Sequence, residues 1–179
     1  MGETDITYEL AAAENLQDIY DVVQRTIKTI YPKYYPAEVV DFFSRLHSED
    51  AIAKDIENGS VGMIRADGKI VATGCFEGNH ITRVYVLPEY QKRGLGTQIM
   101  KTLEARIGKA YGSVYLDASL PAAALYEKLG FHTVRHERYL LENGVVLVYE
   151  IMEKAACVKD KKCSVGKAAD ILGDKSEKV

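Results

Sequence analysis

Only three cysteines occur in 179 residues, and there is no tryptophan. Three thiols do not make a disulfide framework. Cys157 and Cys163, with five residues between them in a lysine-rich stretch, match no usual zinc spacing. Cys75 sits in an apolar, strand-like run where a small buried hydrophobe is the expected role. No metal is expected. Long apolar runs are also missing: none approaches the roughly 20 residues of a membrane span. The opening MGETDITYEL carries no signal-peptide core and matches N-myristoylation poorly. These absences point to a cytoplasmic chain with no membrane partner. No basic stripe is present either, so nucleic acid is not an expected partner.

What is there is the composition of a globular domain, 47% hydrophobic and 27% charged, at a length that closes one core. Charge is spread unevenly. Residues 1–60 hold 12 acids and 5 bases, residues 61–153 hold 10 and 11, and residues 154–179 hold 4 and 7. An acidic first third is a solvated face, and it would also suit a cationic ligand. Residues 1–153 are expected to form the domain, and the polar, lysine-rich 154–179 a mobile tail in which VGKAADIL is compatible with a short helix.

Residues 5–10 alternate like a strand. Leu16, Ile19, Tyr20, Val23, Ile27 and Ile30 then fall at helical spacing, ended by Pro32 and Pro36. Val39, Val40, Phe43 and Leu46 mark a second helix, and Ser48 caps a third that stops at Asn58-Gly59. Two β-rich runs around Asp67-Gly68 predict a hairpin, followed by a strand from His80 to Leu87 that ends at Pro88. Leu95, Ile99, Leu103 and Ile107 form the next helical stripe, stopped by Gly112. A buried strand at 113–117, a helix at 121–129 and a hairpin turning at Asn143-Gly144 complete the chain, with no internal repeat.

Between the fourth strand and its helix lies PEYQKRGLGTQIM, two glycines one residue apart at a helix mouth. A Walker loop needs Lys and a hydroxyl residue after its last glycine, where this chain has Thr97-Gln98. A dinucleotide fingerprint needs a third glycine where Ile99 stands. The remaining pattern, Gln91-x-x-Gly94-x-Gly96 after ITRVYVLPEY, resembles the acyl-CoA loop of the GCN5-related N-acetyltransferase (GNAT) superfamily. LDASLPAAALYEKLGF, residues 116–131, resembles the strand and helix that follow it in that family. The two blocks together span roughly residues 80–135, and the element order agrees. Physically, glycines at 94 and 96 let amide N–H groups close around a pyrophosphate at a positive helix end, with Lys92 and Arg93 to screen its charge.

The resemblance implies an α/β fold of the α+β type. The sheet is mixed, mostly antiparallel, of about seven strands with one splayed parallel pair, and helices cover both faces. It implies an acetyltransferase with acetyl-CoA as cosubstrate, acting on a primary amine by direct attack in a ternary complex, a small-molecule amine being favoured. Cosubstrate contacts fall on Val84, Tyr85, Val86, Gln91, Lys92, Arg93, Gly94, Leu95, Gly96 and Thr97, with the Val86 amide polarising the thioester. Ser119 stands near a pantetheine contact of the family and is equally readable as an N-cap. Tyr126 matches the family tyrosine that returns a proton to the CoA sulfur.

An alkylammonium near pKa 10.4 costs about 4.6 kcal/mol to deprotonate at pH 7, so a base is needed. His80 is the candidate, with Glu77, Asp117 or water as alternatives. Tyr34 and Tyr35, between two prolines, are candidates for a substrate lip, and Phe42 and Phe43 for core. Rival readings are a protein N-terminal or lysine acetyltransferase, and a CoA-binding sensor without turnover. The sequence leaves a homodimer open.

Overall fold

The structure is a computed structural model that describes residues 5–156. Seven strands form one sheet: β1 (Ile6–Leu10), β2 (Val61–Ala66), β3 (Lys69–Glu77), β4 (His80–Val86), β5 (Ser113–Ala118), β6 (His132–Leu140) and β7 (Val146–Ala155). Their order is β1-β2-β3-β4-β5-β7-β6, and every pairing is antiparallel except β4 with β5. The expected fold class is therefore the observed one. Five helices are α1 (Leu16–Ile30), α2 (Ala37–Leu46), α3 (Glu49–Glu57), α4 (Leu95–Ile107) and α5 (Ala123–Lys128). No helix of the described residues is long and apolar enough to cross a membrane.

Local chemistry sets the boundaries. Ser48 caps α3 by accepting from the Ala51 amide at 3.3 Å, satisfying a first-turn donor. Asp67 and Gly68, both at positive φ, make the two-residue turn between β2 and β3. Three boundaries differ from expectation. α4 ends at Ile107 and is closed by Gly108, five residues before the Gly112 expected to stop it. The helix expected at 121–129 is only six residues long. Its first turn is organised by the Ser119 backbone carbonyl, which accepts from the Ala122 and Ala123 amides. The Ser119 side chain does not cap it. β7 runs to Ala155, so Lys154 belongs to the sheet, where its ammonium reaches Glu104 of α4 at 2.7 Å. The short helix expected in VGKAADIL, and Cys157 and Cys163, lie outside the described residues.

Helices cover both faces of the sheet. On one face α4 packs so closely that a side chain at Gly74 of β3 would run into Ile99 and Leu103. The opposite face carries α1 and α3, reached by Thr26, Tyr31 and Asp55. A single extra residue in β4 decides which side chains look which way. Cys75 pairs with Arg83 but Phe76 pairs with Ile81, so Thr82 is inserted. The insertion shifts the alternation by one. Ile81 joins Val84 and Val86 on the α4 side, while His80, Arg83 and Tyr85 all face α1 and α3.

Candidate functional site

β4 and β5 pair only at His80–Tyr115 and Ile81–Leu116, and then diverge. Leu87 donates to Val71 of β3, so by alternation the Val84 and Val86 peptide groups point into the gap where β5 has left. The Val86 carbonyl there accepts from Thr26 Oγ1 at 3.2 Å and Gln91 Nε2 at 3.0 Å. Gln91 thus ties the loop to the end of β4.

The loop has a backbone built around left-handed residues. Lys92 lies at φ 61° and Gly94 at φ 84°, and alternation of this kind turns successive N–H groups inward. The first intrahelical bond of α4 runs from the Gln98 amide to the Gly94 carbonyl. The amides of Leu95, Gly96 and Thr97 therefore lack intrahelical acceptors. A β-carbon at Gly96 would sit 3.3 Å from Leu125. The Arg93 guanidinium lies 5.0 Å from the Tyr90 ring centre. Tyr90 to Lys92 and Gly94 to Thr97, with Val84 to Val86, α5 and the end of α1, line a cavity of about 580 Å³, and Arg93 is not part of that lining.

A second cavity of about 340 Å³ opens on the α1/α3 side. Both share Tyr31, Val84, Tyr85, Ser119, Ala122 and Tyr126, so they meet in the gap between the strands. Tyr31 is the hub of that junction: its hydroxyl lies 3.2 Å from both Tyr85 Oη and Ser119 Oγ. Burial raises the pKa of Tyr31, Tyr85 and Tyr126, so all three phenols hold their protons.

Away from the junction the second cavity is polar. His80 stacks on Tyr115, centroids 4.4 Å apart and 7° from parallel, and its Nε2 stands 3.4 Å from Asp117 Oδ2. Arg83, its side chain 3% exposed, sends Nη2 to Asp55 of α3 at 2.8 Å and Nε to His47 Nδ1 at 3.4 Å. Gln24 of α1 donates to the Ser44 and His47 carbonyls, each at 2.9 Å, fixing the α2–α3 corner that presents His47.

Burial, and then the Arg83 charge, lower the His47 pKa to about 3. An unfolded histidine binds its proton near pH 6.5. Between those values the unfolded chain holds the extra proton, so stability is present above 6.5 and falls as pH drops toward 3. His47→Gln keeps an acceptor for Arg83 and removes the titration. Its melting temperature should fall less than the parent's between pH 7 and pH 4 in thermal denaturation. Parallel pH slopes would contradict this.

The expected lip residues lie elsewhere. Tyr34 is 51% exposed, Tyr35 is buried with its hydroxyl accepting from the Leu120 amide at 2.7 Å, and neither lines the second cavity. Burial pushes the Tyr35 pKa up to about 12. Tyr31 and Phe43 form the aromatic wall instead. Tyr31 and His47 belong to the cluster at residues 31–47 that could line an acceptor slot or pack the sheet, whereas Asp55 and Arg83 were not anticipated: they come from two segments whose meeting no local spacing announces. Glu77 pairs with His80 across the β3–β4 turn and is absent from both cavity linings. Among the described residues no group of three or more His, Cys, Asp or Glu is arranged to hold a metal ion.

Comparison with known proteins agrees with this architecture. The profile of the Acetyltransferase (GNAT) domain matches residues 30–154. An N-alpha-acetyltransferase of Saccharolobus solfataricus is 24% identical over 143 residues, covering 73% of this chain and 83% of the relative. A GCN5-related N-acetyltransferase structure from Rhodopseudomonas palustris superposes with a TM-score of 0.77 at 22% identity, covering 87% of this chain and 98% of that one. The PaiA N-acetyltransferase of Thermoplasma acidophilum, solved in complex with coenzyme A, gives 0.66 at 19% identity, covering 84% and 99%. With the family profile spanning most of the chain and the splayed β4–β5 pair in place, the protein belongs to the GNAT acetyltransferase family.

Proposed function

We propose that the protein transfers an acetyl group from acetyl-CoA to the primary amine of a small molecule, by direct attack within a ternary complex, and that residues 1–153 form the transferase domain. The observation that carries this reading is the meeting of two cavities at Val84, Tyr85 and Tyr126, one bounded by the glycine loop and one by polar side chains. A thioester carrier and an amine can enter from opposite sides and touch only there.

On the loop side, the amides of Leu95, Gly96 and Thr97 receive the diphosphate at the positive end of α4, with Lys92 and Arg93 supplying charge. Bare backbone at Gly94 and Gly96 fits such a group. The unpaired edge of Val84 to Val86 takes the pantetheine arm as an added strand, and a β4 amide there, Val86 in the family reading, polarises the thioester carbonyl. Ser119, turned toward Tyr31, borders the same arm.

On the other side, His80 accepts the proton that the attacking amine must lose, directly or through one water, with Asp117 beside it. As the nitrogen–carbon bond forms and the carbon–sulfur bond breaks, Tyr126 gives its proton to the departing sulfur. Both groups are reset by solvent. No side-chain nucleophile is needed: Cys75 is buried, and burial raises its pKa.

A second reading, acetylation of a protein N-terminus, is favoured by one feature. A groove of about 470 Å³ between α2 and the β6–β7 hairpin shares Leu46 with the polar cavity and offers a peptide an exit. The N-alpha-acetyltransferase relative has the same leaning by name. Thiol release from acetyl-CoA, measured over amines and peptides, tests both. Release with small amines is expected. Release with peptides alone would transfer the conclusion to the second reading, and tight CoA binding with no release anywhere would leave a sensor.

A further inference from the structure

The polar cavity carries an unusual density of unmet hydrogen-bonding capacity. Six buried side-chain nitrogen or oxygen atoms among the described residues form no hydrogen bond, and three belong to His80, Thr82 and Arg83, of which His80 Nε2 does have the Asp117 carboxylate 3.4 Å away. These residues flank the β4 insertion, and all three line the same cavity. The contact of Thr82 Oγ1 with the Cys75 thiol is to a weak acceptor, which leaves the hydroxyl's stronger capacity unused. The guanidinium is the most demanding of them. Arg83 has one terminal nitrogen on Asp55, its Nε toward His47, and Nη1 facing no acceptor. A buried, charged donor left unmatched carries its full desolvation penalty. Such a group calls for a partner, and a ligand oxygen is one that can supply it.

The missing partner must be an oxygen acceptor. Nη1 and the Thr82 hydroxyl both offer hydrogens, and with Nη2 and Nε of the guanidinium fork already engaged, Nη1 is matched best by an anionic oxygen such as a carboxylate's. Arg83 lines the cavity while its Nη1 is closed to solvent, so no hydration shell has to be stripped from it, and an arriving oxygen has to displace part of the wall to reach it. The remaining polar groups suit the opposite charge. Asp117 is 46% exposed beside His80 and, among the described residues, pairs with no lysine or arginine. The cavity thus holds the Arg83 guanidinium, shared with Asp55 of α3, on one side and an anion without a basic side chain on the β5 side.

We propose that the acceptor is an amine that also carries a carboxylate, and that Arg83 and Thr82 receive the carboxylate while the amine is presented at the Val84–Tyr126 junction. This rests on the transferase reading and names the substrate class of the same site. Arg83 is a specificity-determining residue here: it selects the acceptor and takes no part in proton transfer.

The test uses the full chain, acetyl-CoA and thiol release. α-Amino acids and ω-amino acids of increasing length are compared with the amines left by removing the carboxylate, and with the corresponding carboxamides. The acids should exceed both by at least about tenfold in kcat/KM, the ratio expected of one charge-assisted hydrogen bond. The α and ω series separate a free α-amino acid from a longer acceptor. Arg83→Lys keeps a charge against Asp55 but loses the fork. It should raise acceptor KM and erase the preference for acids, with acetyl-CoA KM unchanged. Decarboxylated amines matching the acids would overturn the proposal, and so would carboxamides matching them, since a carbonyl would then suffice. The parent-protein panel decides this even if the variant does not fold. Failure of every acceptor would instead remove the transferase reading, and this inference with it.

Discussion

Tyr126→Phe should lower kcat by about 100-fold, the scale of a lost general acid, while acetyl-CoA affinity stays within about twofold. The phenol lies at the junction of the two cavities, is 7% exposed, and keeps its proton because burial penalises the phenolate. A protonated donor held in a dry site is what a departing thiolate requires. Removing one oxygen leaves the ring packed 6.1 Å from Phe131, so the fold and the loop-side cavity should survive. Steady-state kinetics alongside calorimetric titration with acetyl-CoA separates the two effects. Unchanged turnover would take Tyr126 out of the chemistry and leave it a wall residue. A matched fall in affinity would make it a binding residue.

Gly94→Val should weaken acetyl-CoA binding by roughly 10- to 100-fold, the loss of one or two charge-assisted hydrogen bonds. The strain is conformational, since a β-carbon at this position meets nothing within 4 Å. At φ 84° a β-branched residue is a genuine outlier. The chain relaxes by swinging the peptide planes just before α4, and that swing removes the Leu95 to Thr97 amides from a common focus. The same strain should lower the melting temperature by several degrees, so affinity is measured well below it. Full affinity in the variant would mean that the loop does not grip the diphosphate.

Much of the fold was legible in the chain because its signals are local. The apolar stripe from Leu16 to Ile30, the Ser48 cap and the Asp67-Gly68 turn each act over a few residues, and each element appears where its signal stands. The spacing of Gln91, Gly94 and Gly96 was readable for the same reason. The polar cavity was not, because its parts are distant: Asp55 and Arg83 are 28 residues apart in sequence, and His47 reaches Arg83 from 36 residues away. Tyr34 and Tyr35 looked like the lip because prolines flank them, yet the turn over Tyr31–Lys33 swings Tyr31 inward instead. The inserted Thr82 is invisible to any alternation count. Alternation alone sends His80 and Arg83 to opposite faces.

That insertion also separates two kinds of evolutionary freedom. Residues around the loop-side cavity sit on α4, α5, the loop and the end of α1, while those around the polar cavity sit on α2, α3 and the far face of β4. Only six positions serve both cavities. On the proposed reading, drift in α2 and α3 can therefore exchange one acceptor for another while the donor machinery stands still.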